Sequence, residues 1–256
     1  PEKGEIPMLS CLPGLVMDIT VDNRGESEDA TAFFGLKYAD MKRVSALEAN
    51  GLCTIRYRDD WMFAAQTASG AYLVRGLDTP ELLKSGTAFV HQNGPVFLCL
   101  PVPAGEVKTL TVAWGVYTKD GSNGARRSHY YYNRYFSNVD ETAAAVLQHA
   151  DALRALAKKT DEELMNSQQN PKRRELFCQA VRGYYASSQL LEDTDGRVSW
   201  NLCEGAYLWR NTMDLCADHI AWELRRNPWV VRCLMDEFIE DYSYEDRVTF
   251  PGKPGD

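Results

Sequence analysis

Glu204 has the best setting for chemistry in this chain. It stands in NLCEGAYLWRNTMDLCADHIAWE, Asn201 to Glu223, beside Gly205 and among apolar and aromatic residues. Arg210, Asn211, Thr212 and Asp214 follow as a polar cluster. A carboxylate on a connection just ahead of a helix can face a cleft rather than open solvent. Trp200, Tyr207 and Trp209 would wall it with flat rings. Sugars match such a setting, because their C–H faces stack on rings and their hydroxyls bond carboxylates and Asn amides. Asp214, at the head of the next helix, lies where the helix dipole favours negative charge, and its oxygens can accept from vicinal hydroxyls. A plainer reading stands beside this one. Glu204 would then be a solvent-facing turn residue, and Asp214 a first-turn acid that only complements the dipole.

Other chemistries have less support. Cys203 adjoins Glu204, but a thiol nucleophile needs a histidine partner. His91, His129, His149 and His219 are not tied to it by spacing, so Cys203 reads as a packing residue. A lone helical His219 reads as packed or surface-exposed. There is no HxxxH, HExxH or paired-cysteine pattern, so no metal is expected. There is no GxGxxG or P-loop either, so no nucleotide cofactor is expected. YEDRV near the end reads as a surface ion-pair run. RRSHYYYNRYF, Arg126 to Phe136, reads equally as a packing strip or a nucleic-acid contact, and the acidic chain disfavours the latter.

The elements that must position these residues change character near residue 138. From Met8 to about Lys119 the segments LVMDITVDN, TAFFGLKYA, CTIRYRD, WMFAAQT, AYLVRG, VFLCLPV and TLTVAWGVYTKDG are short and rich in Val, Thr and aromatics. Gly, Asn, Asp and Pro punctuate them, which predicts an antiparallel sandwich. A short helix is expected from Thr79 to Lys84, capped by Thr79 with Pro80 in its first turn. Beyond Asn138 the spacing is helical. Asp140 is expected to cap one helix running to Lys159. A second begins near Pro171, with Leu176, Phe177, Ala180, Val181 and Tyr184 on one stripe. A third runs from Asn211 or Thr212 to Arg226, burying Met213, Cys216, Ala217, Ile220 and Leu224. A fourth opens at Pro228, with Val231, Leu234, Met235 and Phe238 inward. Between the second and third, Arg197 to Cys203 reads as extended.

The totals set outer bounds. A chain of 256 residues with 45% hydrophobic content can build one large domain or two modest ones. The net charge of −8 is spread along the chain, which argues against nucleic-acid and anionic-membrane surfaces. No apolar run approaches the roughly 18 residues needed to span a bilayer. Seven cysteines without a CxxC pair suit free thiols in a reducing compartment, so a cytoplasmic location is expected. The first residues, PEKGEIPML, lack the pattern of a signal peptide.

The stretch EGAYLWRNTMDLCADHIAWELRRNPWVVRCLMDEFIEDYSYEDRVTFPG resembles glycoside hydrolase family 52, the bacterial β-xylosidases, and more distantly family 116, which includes β-glucosidases. The likeness is dense from Asn201 to Gly252, and NPWVVR followed by YSYEDRV carries most of its specificity. It is thinner upstream, in EIPMLSC, ITVDNRG and AFFGL. The resemblance implies an N-terminal antiparallel β-sandwich and a C-terminal (α/α)6 barrel: 1–137 as a partial sandwich, 138–168 as a helical connector, and 169–256 as the first part of the barrel. It also implies a retaining mechanism with two carboxylates. The nucleophile would be Glu204, with Tyr207, Asn211, Thr212 and Asp214 matching the motif around it. Asp214 would hold sugar hydroxyls at the innermost subsite, and Arg210 would help keep Glu204 ionised.

The chain also departs from the family pattern. Ala206 stands where relatives usually carry a second Glu, and Leu208 and Trp209 replace Arg and Met. The His-Asp-Met-Gly segment and the downstream aspartic general acid have no counterpart. The expectation is therefore a fragment of a β-xylosidase that holds the nucleophile without the acid/base, needs no cofactor or metal, acts on oligosaccharides, and oligomerises through exposed helix faces. A family 116-type β-glucosidase and a non-catalytic carbohydrate-binding module are the two alternatives.

Overall fold

The computed structural model describes residues 6–36, 41–76, 94–123, 126–203, 211 and 213–242; the helix expected over Thr79 to Lys84 lies outside them. The chain forms two compact units. The first comprises Pro7–Lys119 and Tyr132–Gln169, and the second Pro1–Ile6, Asp120–Tyr131 and Asn170–Asp256.

In the first unit, a helical turn at Met8–Cys11 precedes strands β1 (Gly14–Asp22), β2 (Ala30–Leu36), β3 (Val44–Ala49), β4 (Leu52–Tyr57), β5 (Trp61–Gln66), β6 (Tyr72–Arg75), β7 (Val96–Val102) and β8 (Val107–Val116). One antiparallel sheet has the order β1-β8-β5-β4-β3, and a second has β2-β7-β6. Both contribute to one core: Cys53, Ile55 and Phe63 from the larger sheet and Val96, Leu98 and Leu100 from the smaller. Each large apolar side chain buried there contributes about 1.5–3 kcal/mol. β4 alternates, with Cys53, Ile55 and Tyr57 buried. β7 does not, because Phe97 and Cys99 bury its other face as well. That explains its unbroken apolar spelling.

Seven of these strands follow the seven segments read as extended. β3 does not, since VSALEA is rich in helix formers. Asn50 and Gly51 turn it back onto β4 with φ of 52° and 78°, as a primed two-residue hairpin turn requires. Asn-Gly between two half-apolar segments was the readable signal.

Helix α1 (Val139–Gln148) covers the outer face of the larger sheet, with Val139 and Ala143 packed on Met62 and Ala64. The approach needs a glycine. A Cβ on Gly115 would lie 2.7 Å from the Ala143 N and 2.8 Å from its Cα. The cap is Asn138, not Asp140. Its side-chain oxygen accepts from the Glu141 N–H at 2.9 Å, while Glu141 accepts from the Ser137 N–H at 2.7 Å. This reciprocal capping uses the residue ahead of the helix, where the free N–H groups point. Asp140 pairs with Arg56 at 2.6 Å instead. The single helix expected to Lys159 is two, because α2 (Ala150–Met165) restarts after His149 at φ −104°. Arg154 of α2 grips both oxygens of Asp18 on β1 at 2.6 and 2.7 Å, and its hydrogen bond holds that carboxyl below the usual range.

In the second unit, strands β9 (Gly121–Asn123), β10 (Arg126–Tyr130), β11 (Ser188–Asp193) and β12 (Val198–Leu202) form an antiparallel sheet of order β12-β11-β10-β9. The basic part of RRSHYYYNRYF is thus strand β10. Helices α3 (Pro171–Ala186), α4 (Met213–Arg226) and α5 (Pro228–Glu237) share this unit, followed by a π-helical turn, Phe238–Tyr242. Asn170 caps α3 by accepting from the Arg173 N–H, with Pro171 in its first turn.

The helix faces are rotated from those expected. α4 buries Cys216, His219 and Glu223, and α5 buries Val230, Leu234 and Glu237. Leu176, Phe177, Leu224 and Met235 are exposed. Polar partners inside this unit hold the acids, so the buried stripe is not the most apolar one.

Replacing Gly115 by Val should cost about 2–3 kcal/mol through overpacking against α1. Gly25 has open space around it, so Gly25→Ala should stay within about 0.5 kcal/mol. Urea unfolding of the two variants checks the contrast.

Candidate functional site

The site expected from the sequence spans the connection from β12 to α4. Glu204, Tyr207, Trp209, Arg210 and Thr212 lie outside the described residues. Asp214 falls in the first turn of α4. Asn211, the remaining site residue, is described in full, and it is the residue that joins the two ends of this connection.

The Asn211 N–H donates to the Leu202 carbonyl at 2.9 Å. In return, the Leu202 N–H donates to the Asn211 side-chain oxygen at 2.8 Å. The chain therefore leaves β12 and returns to within hydrogen-bond distance before α4 begins. Asn211 has φ 49°, a left-handed conformation that asparagine tolerates better than most residues. Its side-chain nitrogen donates to Asn201 Oδ1 and to Glu237 Oε2, both at 2.9 Å, and more loosely to the Trp200 carbonyl at 3.4 Å. Asn201, Asn211 and Glu237 are all buried. A buried amide with both ends bonded fixes its neighbours well, because each broken bond would leave a desolvated polar group. Asn211 thus directs its side chain into the protein, toward β12 and α5.

The aromatic residues near this clasp also pack inward. Trp200, expected in the wall around Glu204, meets Trp229 edge-on at 5.8 Å and joins a core with Cys216, Val230 and Leu234. Its indole N–H donates to the Tyr184 hydroxyl at 3.1 Å. The buried Glu223 acts on Tyr184 from nearby, and its Oε2 accepts from the Asn227 side-chain nitrogen at 2.8 Å. Burial first, and then the Glu223 carboxylate, push the Tyr184 hydroxyl far above its ordinary value. His219 packs its ring against Tyr184 with centroids 4.9 Å apart, which fits a packed histidine.

Beside Cys203 lies a cavity of about 360 Å³ between α3 and α4, lined mainly by apolar groups including Phe177, Val181, Tyr184 and Trp222, with His219 and Asp218. Cys203 is a half-exposed free thiol on its wall. All seven cysteines are free, and burial raises Cys53 and Cys99 to about 11, too high for ready nucleophilic chemistry. Among the described residues, no cluster of three or more His, Cys, Asp or Glu is placed to hold a metal ion. No described helix is long and apolar enough to cross a membrane.

Glu237, Asn201 and Glu223 were not singled out from the sequence, and Tyr184 was read only as part of the stripe of α3. Glu237 had one signal, since it shares a helical face with Val230 and Leu234.

Comparison with known proteins extends the likeness upstream. The family model for Glycosyl hydrolase family 52 matches residues 5–256. A beta-xylosidase of Geobacillus stearothermophilus is 29% identical over 256 residues, covering 96% of this chain and 35% of that protein. A second beta-xylosidase of the same organism is 31% identical over 247 residues, covering 94% of this chain and 40% of that protein. The chain therefore spans well under half the length of these curated relatives.

The raised Tyr184 hydroxyl gives a pH expectation. Below its ordinary value of 10.0 both folded and unfolded states keep the proton. As pH rises past that value the unfolded state releases it while the folded state holds it, so stability falls. Unfolding free energy should drop more steeply above about pH 10 in the native chain than in Tyr184→Phe. Denaturant titrations at a series of alkaline pH values measure the difference.

Proposed function

Because the chain belongs to glycosyl hydrolase family 52, we propose that it is the part of a retaining β-xylosidase that carries the nucleophile, Glu204. The observation that carries this reading is the clasp at Asn211. It ties together both ends of the segment that holds Glu204, Tyr207, Trp209 and Arg210, immediately ahead of the helix that bears Asp214. A nucleophile must be held to a fraction of an ångström, and anchoring both ends of its segment in a buried polar cluster serves that need.

In this mechanism Glu204 attacks the anomeric carbon of a terminal β-xylosyl residue and forms a glycosyl ester. A protonated acid about 5–5.5 Å away gives its proton to the departing oxygen. The same acid, now a base, then takes a proton from water as the ester is hydrolysed with net retention. Arg210 favours the ionised form of Glu204, and Asp214 and Thr212 bond the sugar hydroxyls. Tyr207 and Trp209 supply stacking faces. No Asp here matches the acid/base of the family motif, so that group comes from chain outside these 256 residues. Xylose is preferred over glucose because both relatives named above are beta-xylosidases.

The helices of the second unit are read as the first of an (α/α)6 barrel. The exposed Leu176, Phe177, Leu224, Met235 and Ile239 support this reading, since further barrel helices would cover them. In the isolated chain the same residues favour self-association. The free thiols support a reducing, cytoplasmic setting.

The full-length protein should hydrolyse an aryl β-xyloside faster than an aryl β-glucoside and release β-xylose first, as followed by proton NMR. Glu204→Ala should lower kcat at least about 1,000-fold. The 256-residue chain alone should give no turnover of either substrate. Faster glucoside cleavage would favour the glucosidase alternative, and failure of the full-length protein on both would favour a binding module.

A further inference from the structure

The Glu237 carboxylate does something that the bonds of Asn211 alone do not explain. Asn211 presents an amide whose two ends have opposite hydrogen-bonding character. Its oxygen must face the Leu202 N–H for the ends of the connection to close. Rotating the amide by half a turn would aim its NH2 at that N–H and break the closure. Glu237 Oε2 accepts from the Asn211 nitrogen at 2.9 Å, which keeps the NH2 end turned toward α5 and leaves the oxygen for Leu202. Asn201 Oδ1, also at 2.9 Å, is a weaker guard, because an Asn side chain can turn its own nitrogen inward. The Asn201 nitrogen is buried and has no hydrogen-bond partner among the described residues, so its present orientation is not held from its far side.

We propose that Glu237, acting through Asn211, is a positioning residue for the nucleophile: it fixes the orientation of the Asn211 amide and so the closure of the connection that bears Glu204. Three observations support this. Glu237 is 2% exposed, too buried for a solvated surface acid. It is the polar member of the buried face of α5, between Leu234 and the π-helical turn Phe238–Tyr242. Its acceptor meets the one donor group whose placement decides the Leu202 bond. The inference rests on Glu204 as nucleophile for its catalytic consequence, but the closure itself does not depend on that assignment.

Four variants of the full-length protein test it. Glu237→Gln keeps an acceptor but can also turn its nitrogen inward, so it should lower kcat by less than about tenfold and less than Glu237→Met. Glu237→Met keeps the volume without an acceptor and should lower kcat about 10- to 100-fold, with KM little changed, as expected for a misplaced reacting group. Asn211→Asp turns two donors into acceptors facing Glu237 and should lower kcat at least as far. In Asn211→Asp combined with Glu237→Gln, the Gln nitrogen can donate to the introduced carboxylate, and Asn201 can turn its nitrogen inward. This double variant should recover at least tenfold over Asn211→Asp alone. Hydrogen exchange of the peptide covering residues 202–211 should accelerate in Glu237→Met and slow again in the double variant, whatever the kinetics show. A thermal melt confirms that each variant is folded.

A folded Glu237→Met variant with native exchange and native kcat would overturn the proposal. A double variant no better than Asn211→Asp would do the same. Faster exchange without loss of kcat would leave Glu237 as a clasp residue but remove its positioning role. Glu204→Ala, run alongside, keeps the two readings apart. If it retains turnover, the nucleophile assignment fails, while the exchange data still decide the clasp.

Discussion

At Asn211, one side-chain oxygen accepts from the Leu202 N–H while the backbone N–H of the same residue donates to the Leu202 carbonyl. Both bonds are buried, and both depend on a left-handed residue whose amide is held from behind by an acid. This pair of bonds ties the end of β12 to the residue that stands just ahead of α4. Such an arrangement supports the proposal that the segment between them presents a reactive carboxylate. Its ends, Leu202 and Asn211, are fixed by groups that would be costly to leave unpaired.

The elements around the clasp serve it in different ways. Trp200 and Asn201 on β12 are locked by an aromatic core and a buried amide bond, so the strand cannot slide without breaking both. A hydrogen bond from Trp200 to Tyr184 links β12 to α3, and one from Asn227 to the buried Glu223 holds the end of α4. Connected polar groups of this kind reinforce one another and specify one arrangement rather than several. The second unit therefore spends its buried face on polar order, and several of its largest apolar side chains face outward.

That inversion explains which parts were legible in the sequence. Strand segments such as VFLCLPV and CTIRYRD state their burial through apolar runs or alternation, and the strands formed there. Strand β3 was hidden because VSALEA favours a helix locally, and only the Asn50-Gly51 turn betrays it. Asp140 was the more acidic choice of cap, but capping is decided by position, and Asn138 stands where the free N–H groups point. On α4 and α5, hydrophobicity pointed to Leu224 and Met235, whereas Glu223 and Glu237 are the residues inside. A sequence pattern ranks side chains by polarity. It does not reveal that a distant asparagine or tyrosine will satisfy a buried acid. Around the site, the assignment of Glu204 and its motif rests on residue type and family resemblance, and Glu204 itself lies outside the described residues. The role of Asn211 as a clasp was not legible, since it depends on partners at positions 201, 202 and 237.

The central claim is that Glu204 is the group that bonds covalently to the sugar. Its most direct test is to treat the full-length protein with a 2-deoxy-2-fluoro-β-xylosyl fluoride, which slows hydrolysis of the ester intermediate, and to map the adduct by peptide mass spectrometry. One fluoroxylosyl group is expected on Glu204, lost slowly as activity returns. Stoichiometric labelling of a different carboxylate would contradict the claim.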